Sequence, residues 1–324
     1  MKCLVTGGLG FIGSNLVKSL VNLGEEVTVF DNTFRGSLDR LGPLKNQVTV
    51  INGDIRNYDS VCKSFNKIDV VYHLAAINGT RYFYEIPDQV LEVNVKGVIH
   101  AIDAAVQSGV KHFIFSSSSE VYHQPLSVPT KEDEPIKIPD LFNPRFSYSG
   151  SKIIGELLCI HYGRMRGLKT SIVRYHNVYG PDMGREHVIP EFFLKLKKSS
   201  DNFKNKKALL KIEGSGEETR AFCYIDDAID ATILVGRKGK DNEIYHVGNM
   251  NEEITIKKLA RIVADVLGLE IDSIYGDLKK GGTLRRCPDI TKVSMLGFNP
   301  RVSLREGIGR TVKWYKENLC SEDG

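Results

Sequence analysis

The sequence has no C-x-x-C pair, and none of its six cysteines (Cys3, Cys62, Cys159, Cys223, Cys287, Cys320) has a histidine at zinc-finger distance. That excludes a zinc-stapled or disulfide-framed module and suits reduced, mostly buried thiols in a cytoplasmic protein. No apolar run is long enough to cross a bilayer, and the N-terminal MKCLVTGGLGFIGSNLV is broken by glycines with no small-residue cleavage site after it. Neither sign of charge dominates: 44 Lys and Arg against 40 Asp and Glu leave a formal +4, too balanced to require nucleic acid as a partner. The densest basic run, residues 195–207, is interrupted by Ser199, Ser200, Asp201 and Asn202 and reads as a solvated helix end. Repeats, low-complexity tracts and flexible linkers are missing too. What remains is a folded, soluble chain of 324 residues, long enough for two lobes.

The first half alternates short apolar runs with helical patterns, the mark of βαβ units and a parallel sheet. Strands are expected at residues 2–6, 26–30, 48–52, 69–73, 111–116 and 170–174, with helices at 10–23, 58–65, 88–108 and 148–166. This order predicts an α/β fold, a doubly wound Rossmann-type sheet over residues 1–175. Residues 176–324 have a looser rhythm, with helical stretches at 226–235 and 255–267. They are expected to form a smaller C-terminal substrate-binding lobe at the sheet's carboxyl edge, some segments interleaving with the first domain.

VTGGLGFIG follows the first strand and opens a helix, placing Gly7, Gly10 and Gly13 three residues apart. Gly7 permits the tight turn, Gly10 lets backbone approach a pyrophosphate, and Gly13 lets the helix pack on the strand, its N-terminus stabilising the anion. The second strand ends in Asp31, at the right distance to accept from an adenosine ribose and to repel a 2′-phosphate. NAD is therefore expected over NADP, although Arg35 nearby keeps NADP open. NGDI supplies Asp54 and Ile55, suited to contact adenine.

FSSSSEVYH, residues 115–123, turns from an apolar run into four serines, a glutamate and an aromatic. Farther on, YSGSK sets Tyr148 and Lys152 one helical turn apart on one face. A lysine ammonium beside a phenol, with a positive nicotinamide near, lowers the phenol's pKa enough for it to take a proton from a hydroxyl.

At these residues the chain resembles the extended short-chain dehydrogenase/reductases, the NAD-dependent nucleotide-sugar epimerase/dehydratase family. TGGLGFIGSNL, GDIRN, VYHLAA, VNVKG, SSSSEVY, YSGSK, VRYHNVYGP, TRAFCYIDDA and PDITKVSMLGFNP carry the resemblance through nearly the whole chain. It implies Tyr148 as base, Lys152 as its partner, Ser118 as the hydroxyl touching the sugar, and transient oxidation at the sugar's C4. Further cofactor contacts are implied at Phe11, Ile12, Asn32, Leu74, Ala75, Ala76 and Asn94. Glu120 stands where nucleotide-sugar 4,6-dehydratases carry the carboxylate that takes the C5 proton, so a dehydratase is the leading expectation. Ser119 departs from the aspartate that many of them place before it. Epimerisation, uronate decarboxylation and a non-catalytic NAD-binding sensor are the alternatives.

For the nucleotide-diphosphate sugar, the resemblance points to Arg220 and Arg286 on the diphosphate, with Arg285 competing for the second place. Asn177, His187 and Val188 are expected on the substrate, Arg81 at the sugar pocket, and residues 210–213 around the base. His176 and His187 read as structural or substrate-lining and not as metal ligands, because no acidic partner stands at ligand spacing. The helices at 88–108 and 148–166 resemble those of a four-helix dimer interface, which predicts a homodimer.

Overall fold

The computed structural model describes residues 1–277 and 281–319; Cys320 lies outside them. Seven parallel strands form the central sheet. Six come from residues 2–175: β1 (Lys2–Thr6), β2 (Glu26–Asp31), β3 (Thr49–Asn52), β4 (Val70–His73), β5 (His112–Ser118) and β6 (Thr170–Tyr175). The seventh, Glu243–Val247, is supplied from residues far downstream and pairs with β6, giving the order Glu243–Val247, β6, β5, β4, β1, β2, β3. The chain winds outward from β1 to β3, then returns beside β1 as β4 and winds the other way. The β1/β4 junction is thus the switch point, where the carboxyl ends of the strands leave a crevice.

Both faces are covered at the centre of the sheet, where β1, β4, β5 and β6 are buried along almost their whole length, while the edge strand β3 is largely exposed. Cys3 and Val5 of β1 enter one core with α1 (Phe11–Asn22) and the later helix Ile225–Lys238. Leu4 enters the other with α2 (Tyr58–Ser64), α4 (Pro87–Gln107) and α5 (Phe146–Leu157). The short α3 (Thr80–Glu85) precedes α4. Pro87 opens α4 one residue earlier than the pattern suggests, because its missing N–H costs nothing at a helix start. The helix expected over 148–166 is α-helical only to Leu157 and continues as a π-helical turn, Leu158–Gly163.

The carboxyl edge is capped by shorter sheets, in which Lys207–Ile212 pairs with Glu270–Tyr275, and Thr219–Ala221 lies between Glu253–Thr255 and Arg285–Arg286. The helix Val188–Ser199 and the C-terminal helix Leu304–Leu319 complete this region. Among the described residues no helix is long and apolar enough to cross a membrane.

Candidate active site

A cavity of about 400 Å³ opens at the switch point. Its floor is the turn after β1. Gly7 has φ +69°, and a Cβ there would lie 2.8 Å from the Ala75 nitrogen, so the left-handed turn and the close approach to the β4 exit both require glycine. A Cβ on Gly13 would lie 2.1 Å from the Gly7 carbonyl oxygen, which is how closely α1 packs on the loop. α1 has Gly10 as its cap with no side-chain hydrogen bond, and no acidic residue in its first turn. Its first N–H groups and positive dipole end are left to an external anion.

Gly10, Phe11, Ile12 and Gly13 line this floor, with Asp31 and Asn32 at the end of β2, Ile55 after β3, and Leu74, Ala75 and Ala76 after β4. The Asp31 carboxylate accepts from Leu9 N at 3.0 Å and Thr33 N at 2.7 Å, which fixes it at the cavity edge. Asp54 does not line the cavity; it is tied to Arg56 at 2.8 Å, and that hydrogen bond holds its carboxyl down at about 2. Asn94 is buried behind the wall. It accepts from Ile77 N at 2.8 Å and donates to Ser151 Oγ at 3.0 Å, joining α4 and α5 to the loop that forms the wall. An anion-seeking helix start, a ribose-height aspartate and an apolar adenine slot fit NAD.

At the far end, β5 runs two residues beyond the expected Ser116 because Ser117 and Ser118 keep pairing with Arg174 and Tyr175 of β6. Ser118 Oγ accepts from Glu120 N at 3.2 Å, capping a 3-10 turn over Ser119–Tyr122. α5 faces this turn with Tyr148 and Lys152. Phe83 of α3 stacks on the Tyr148 ring, centroids 4.8 Å apart, and the Tyr148 hydroxyl lies toward the Ser118 side chain. Burial pushes the Tyr148 phenol up, and the Ser118 contact works against that rise. The Lys152 ammonium donates to the Ser116 carbonyl at 2.7 Å, and burial brings its pKa down to about 8. Ser118, Ser119, Glu120, Tyr148 and Lys152 all line the one cavity.

Glu120 is clamped. Arg286 Nη1 donates to Oε1 at 2.8 Å, and Arg145 Nη2 lies 3.5 Å from Oε2. Burial would raise this carboxyl, but the charges of Arg286 and Arg145, with Arg220 farther off, bring it down to about 2. Beyond the clamp a second cavity of about 290 Å³ is lined by Asn177, His187, Val188, Ile212, Glu213, Arg220 and Arg286 among others. Asn177 donates to the Ala221 carbonyl at 3.0 Å from a left-handed backbone, φ +41°. Arg220 donates to the Thr283 carbonyl at 2.7 Å, and burial followed by the Arg286 charge lowers its pKa to about 10. Arg285 turns outward onto Glu253, at 2.7 and 2.8 Å, so of the two competing arginines it is Arg286 that faces the site. Arg81 also points away: it is exposed, binds Glu85 one turn on at 2.8 Å, and lines neither cavity.

Sequence reasoning did not find Arg145 or the ion pair beneath the serine turn. Glu156, one turn past Lys152, accepts from Ser117 Oγ at 2.5 Å and from Arg174 at 2.8 and 2.6 Å, all buried. Arg174 also donates to the Tyr122 hydroxyl, which in turn lies 2.6 Å from His246 Nε2. The Asp289 carbonyl at 2.9 Å can only accept from His246 Nδ1, so Nε2 is the acceptor for Tyr122. The 148, 152, 156 spacing was the signal for Glu156. Arg145 had none.

A tyrosine and a lysine one helical turn apart, set over the switch point of a parallel sheet beside a serine, define a short-chain dehydrogenase/reductase. Residues 3–248 match the NAD dependent epimerase/dehydratase family, and the chain belongs to it. It is 33% identical over 326 residues to a UDP-N-acetyl-alpha-D-glucosaminuronate decarboxylase of Bacillus cytotoxicus, covering 98% of each chain. Among solved structures it resembles a double mutant of the dTDP-glucose 4,6-dehydratase DesIV from Streptomyces venezuelae with NAD bound (TM-score 0.88, 30% identity, 99% of this chain and 98% of that one). It is also similar to the UDP-glucose 4-epimerase of Thermotoga maritima with UDP-glucose (TM-score 0.86, 30% identity, 98% and 100%). The cofactor of the family is NAD.

Proposed function

We propose that this enzyme oxidises the sugar of a nucleotide-diphosphate sugar at C4, and that its substrate is a uronate, which then loses carbon dioxide. Bound NAD supplies the hydride acceptor at C4 and, at the end of the cycle, the donor. Tyr148 takes the O4 proton, its phenolate favoured by the Lys152 ammonium, while the Ser118 hydroxyl holds the oxygen. Once C4 is a ketone, a carboxylate on C5 is β to it. The C5–carboxylate bond breaks, its electron pair passes into a C4 enolate, and Ser118 with the now neutral Tyr148 hydrogen-bonds that oxyanion. A proton from water then takes the place of the lost carboxylate on C5.

The observation that carries the uronate reading is the clamp on Glu120. A carboxylate held near 2 by two arginines is a weak base for a C5 proton. Decarboxylation needs no such base, and Arg145 suits a substrate carboxylate lying near Glu120, leaving Arg286 with Arg220 for the diphosphate. The second reading, a 4,6-dehydratase in which Glu120 takes the C5 proton and the C6 hydroxyl leaves as water, rests on Glu120 lining the same cavity as Tyr148. Mass spectrometry after incubation with UDP-glucuronate, UDP-N-acetylglucosaminuronate, UDP-glucose and dTDP-glucose separates them. Loss of carbon dioxide from a uronate is expected; loss of water from a neutral glucose overturns it, and unchanged mass with altered NMR couplings indicates an epimerase.

The active form in this reading is a homodimer. Leu91 on α4 and Ile154 and Leu157 on α5 are exposed apolar side chains on two adjacent helices, and a second copy of the pair would cover them.

A further inference from the structure

Two arginines on the segment after β2 span the mouth of the NAD cavity. Arg35 donates to the Asn78 carbonyl beyond β4 and lies over the Tyr82 ring, 5.5 Å from its centroid. Arg40 reaches the opposite way. Its Nε and Nη2 fork onto the two carboxylate oxygens of Asp182 at 2.7 and 3.0 Å, and its Nη1 donates to the carbonyls of Leu9 at 3.2 Å and Arg35 at 3.0 Å. Ser37 N donates to the same Leu9 carbonyl at 3.1 Å. Gly36 lies so close to the glycine-rich turn that a Cβ on it would be 2.7 Å from Leu9 Cβ. The segment is thus stapled to the cavity floor.

Asp182 belongs to the other side of the cleft, in the loop before the helix Val188–Ser199. Its neighbour Met183 is buried, and the carbonyl of Gly184 accepts the Tyr315 hydroxyl from the C-terminal helix, so the second lobe holds it in place. Arg35, Gly36, Arg40, Met183 and Gly184 line the same cavity as Gly10 and Asp31. Arg40 therefore forms part of the wall of the cavity that the dinucleotide would fill, and Asp182 holds it from across the cleft.

We infer that Arg40 and Asp182 form a latch that retains NAD, and that the cofactor leaves only when this pair opens. The inference rests on NAD as cofactor and is independent of which sugar is turned over. A two-pronged, partly shielded pair, with side chains 17% and 35% exposed, is stronger than a single exposed contact. An enzyme that lends a hydride and takes it back depends on such retention, because cofactor lost mid-cycle strands the sugar as a ketone.

The test uses the folded protein loaded with NADH and chased with excess NAD in the absence of sugar, following loss of NADH fluorescence. Arg40→Ala and the isosteric Asp182→Asn are each expected to speed release roughly tenfold, with the double variant no faster than the faster single. Added salt should speed release from the wild type more than from either single variant. Release from Asp182→Asn within about twofold of wild type, or fully additive effects in the double variant, overturns the latch. Thermal melting of each variant shows that it is folded before its rate is compared.

Discussion

At the scale of single residues, the site depends on how each titrating group is held. If Tyr148 is the base, Tyr148→Phe should lower kcat by about 10²-fold or more while NADH still binds with quenched or enhanced fluorescence, because only the proton acceptor has gone. Glu120 allows a stability test with a defined sign. Its carboxyl is held at about 2 in the folded protein against about 4.5 in an unperturbed chain. It therefore stabilises the fold fully above about pH 4.5, and that contribution is lost as pH falls through 2. Glu120→Gln should melt at a lower temperature than wild type at pH 7, with the gap narrowing steadily below pH 4.5. A gap that stays constant with pH would mean that Glu120 is not ion-paired. Tyr148, Lys152 and the three glycines were legible from spacing and Ser118 from the family resemblance, and all line one cavity. Arg145 was not legible, because only the tertiary fold brings residue 145 to residue 120. Arg81 was expected at the sugar, but a glutamate one turn on offered it a partner in water.

At the scale of elements, α5 must lie flat on β5 for its tyrosine and lysine to meet the serine turn. Gly155 is where the two come closest: a Cβ there would be 2.3 Å from the Phe115 ring, whereas one on Gly150 would meet only Ile138, at 3.4 Å. Gly155→Ala should cost about 1–3 kcal/mol in denaturant unfolding and lower kcat as well, since the helix must shift. Gly150→Ala should be close to neutral or slightly stabilising. Six of the seven sheet strands were readable to within two residues from their apolar runs, but the seventh, Glu243–Val247, was not, because only the tertiary fold brings it beside β6. The end of β5 was not, since its last two serines are kept extended by Glu156 and by β6, partners distant in sequence.

At the scale of the whole molecule, light scattering should give about twice 36.2 kDa, and Ile154→Glu with Leu157→Glu should reduce it to the single-chain mass with the fold intact. A wild-type mass of one chain would remove the dimer from the proposal. The sheet itself carries a further consequence, one of timing. Its seventh strand is encoded far after the sixth, so on the ribosome β6 waits with the N–H and C=O groups of one edge unpaired until residue 247 has left the exit tunnel. At roughly 5–20 residues per second that wait lasts several seconds. During it the nascent chain offers an open strand edge to any neighbour on the same message.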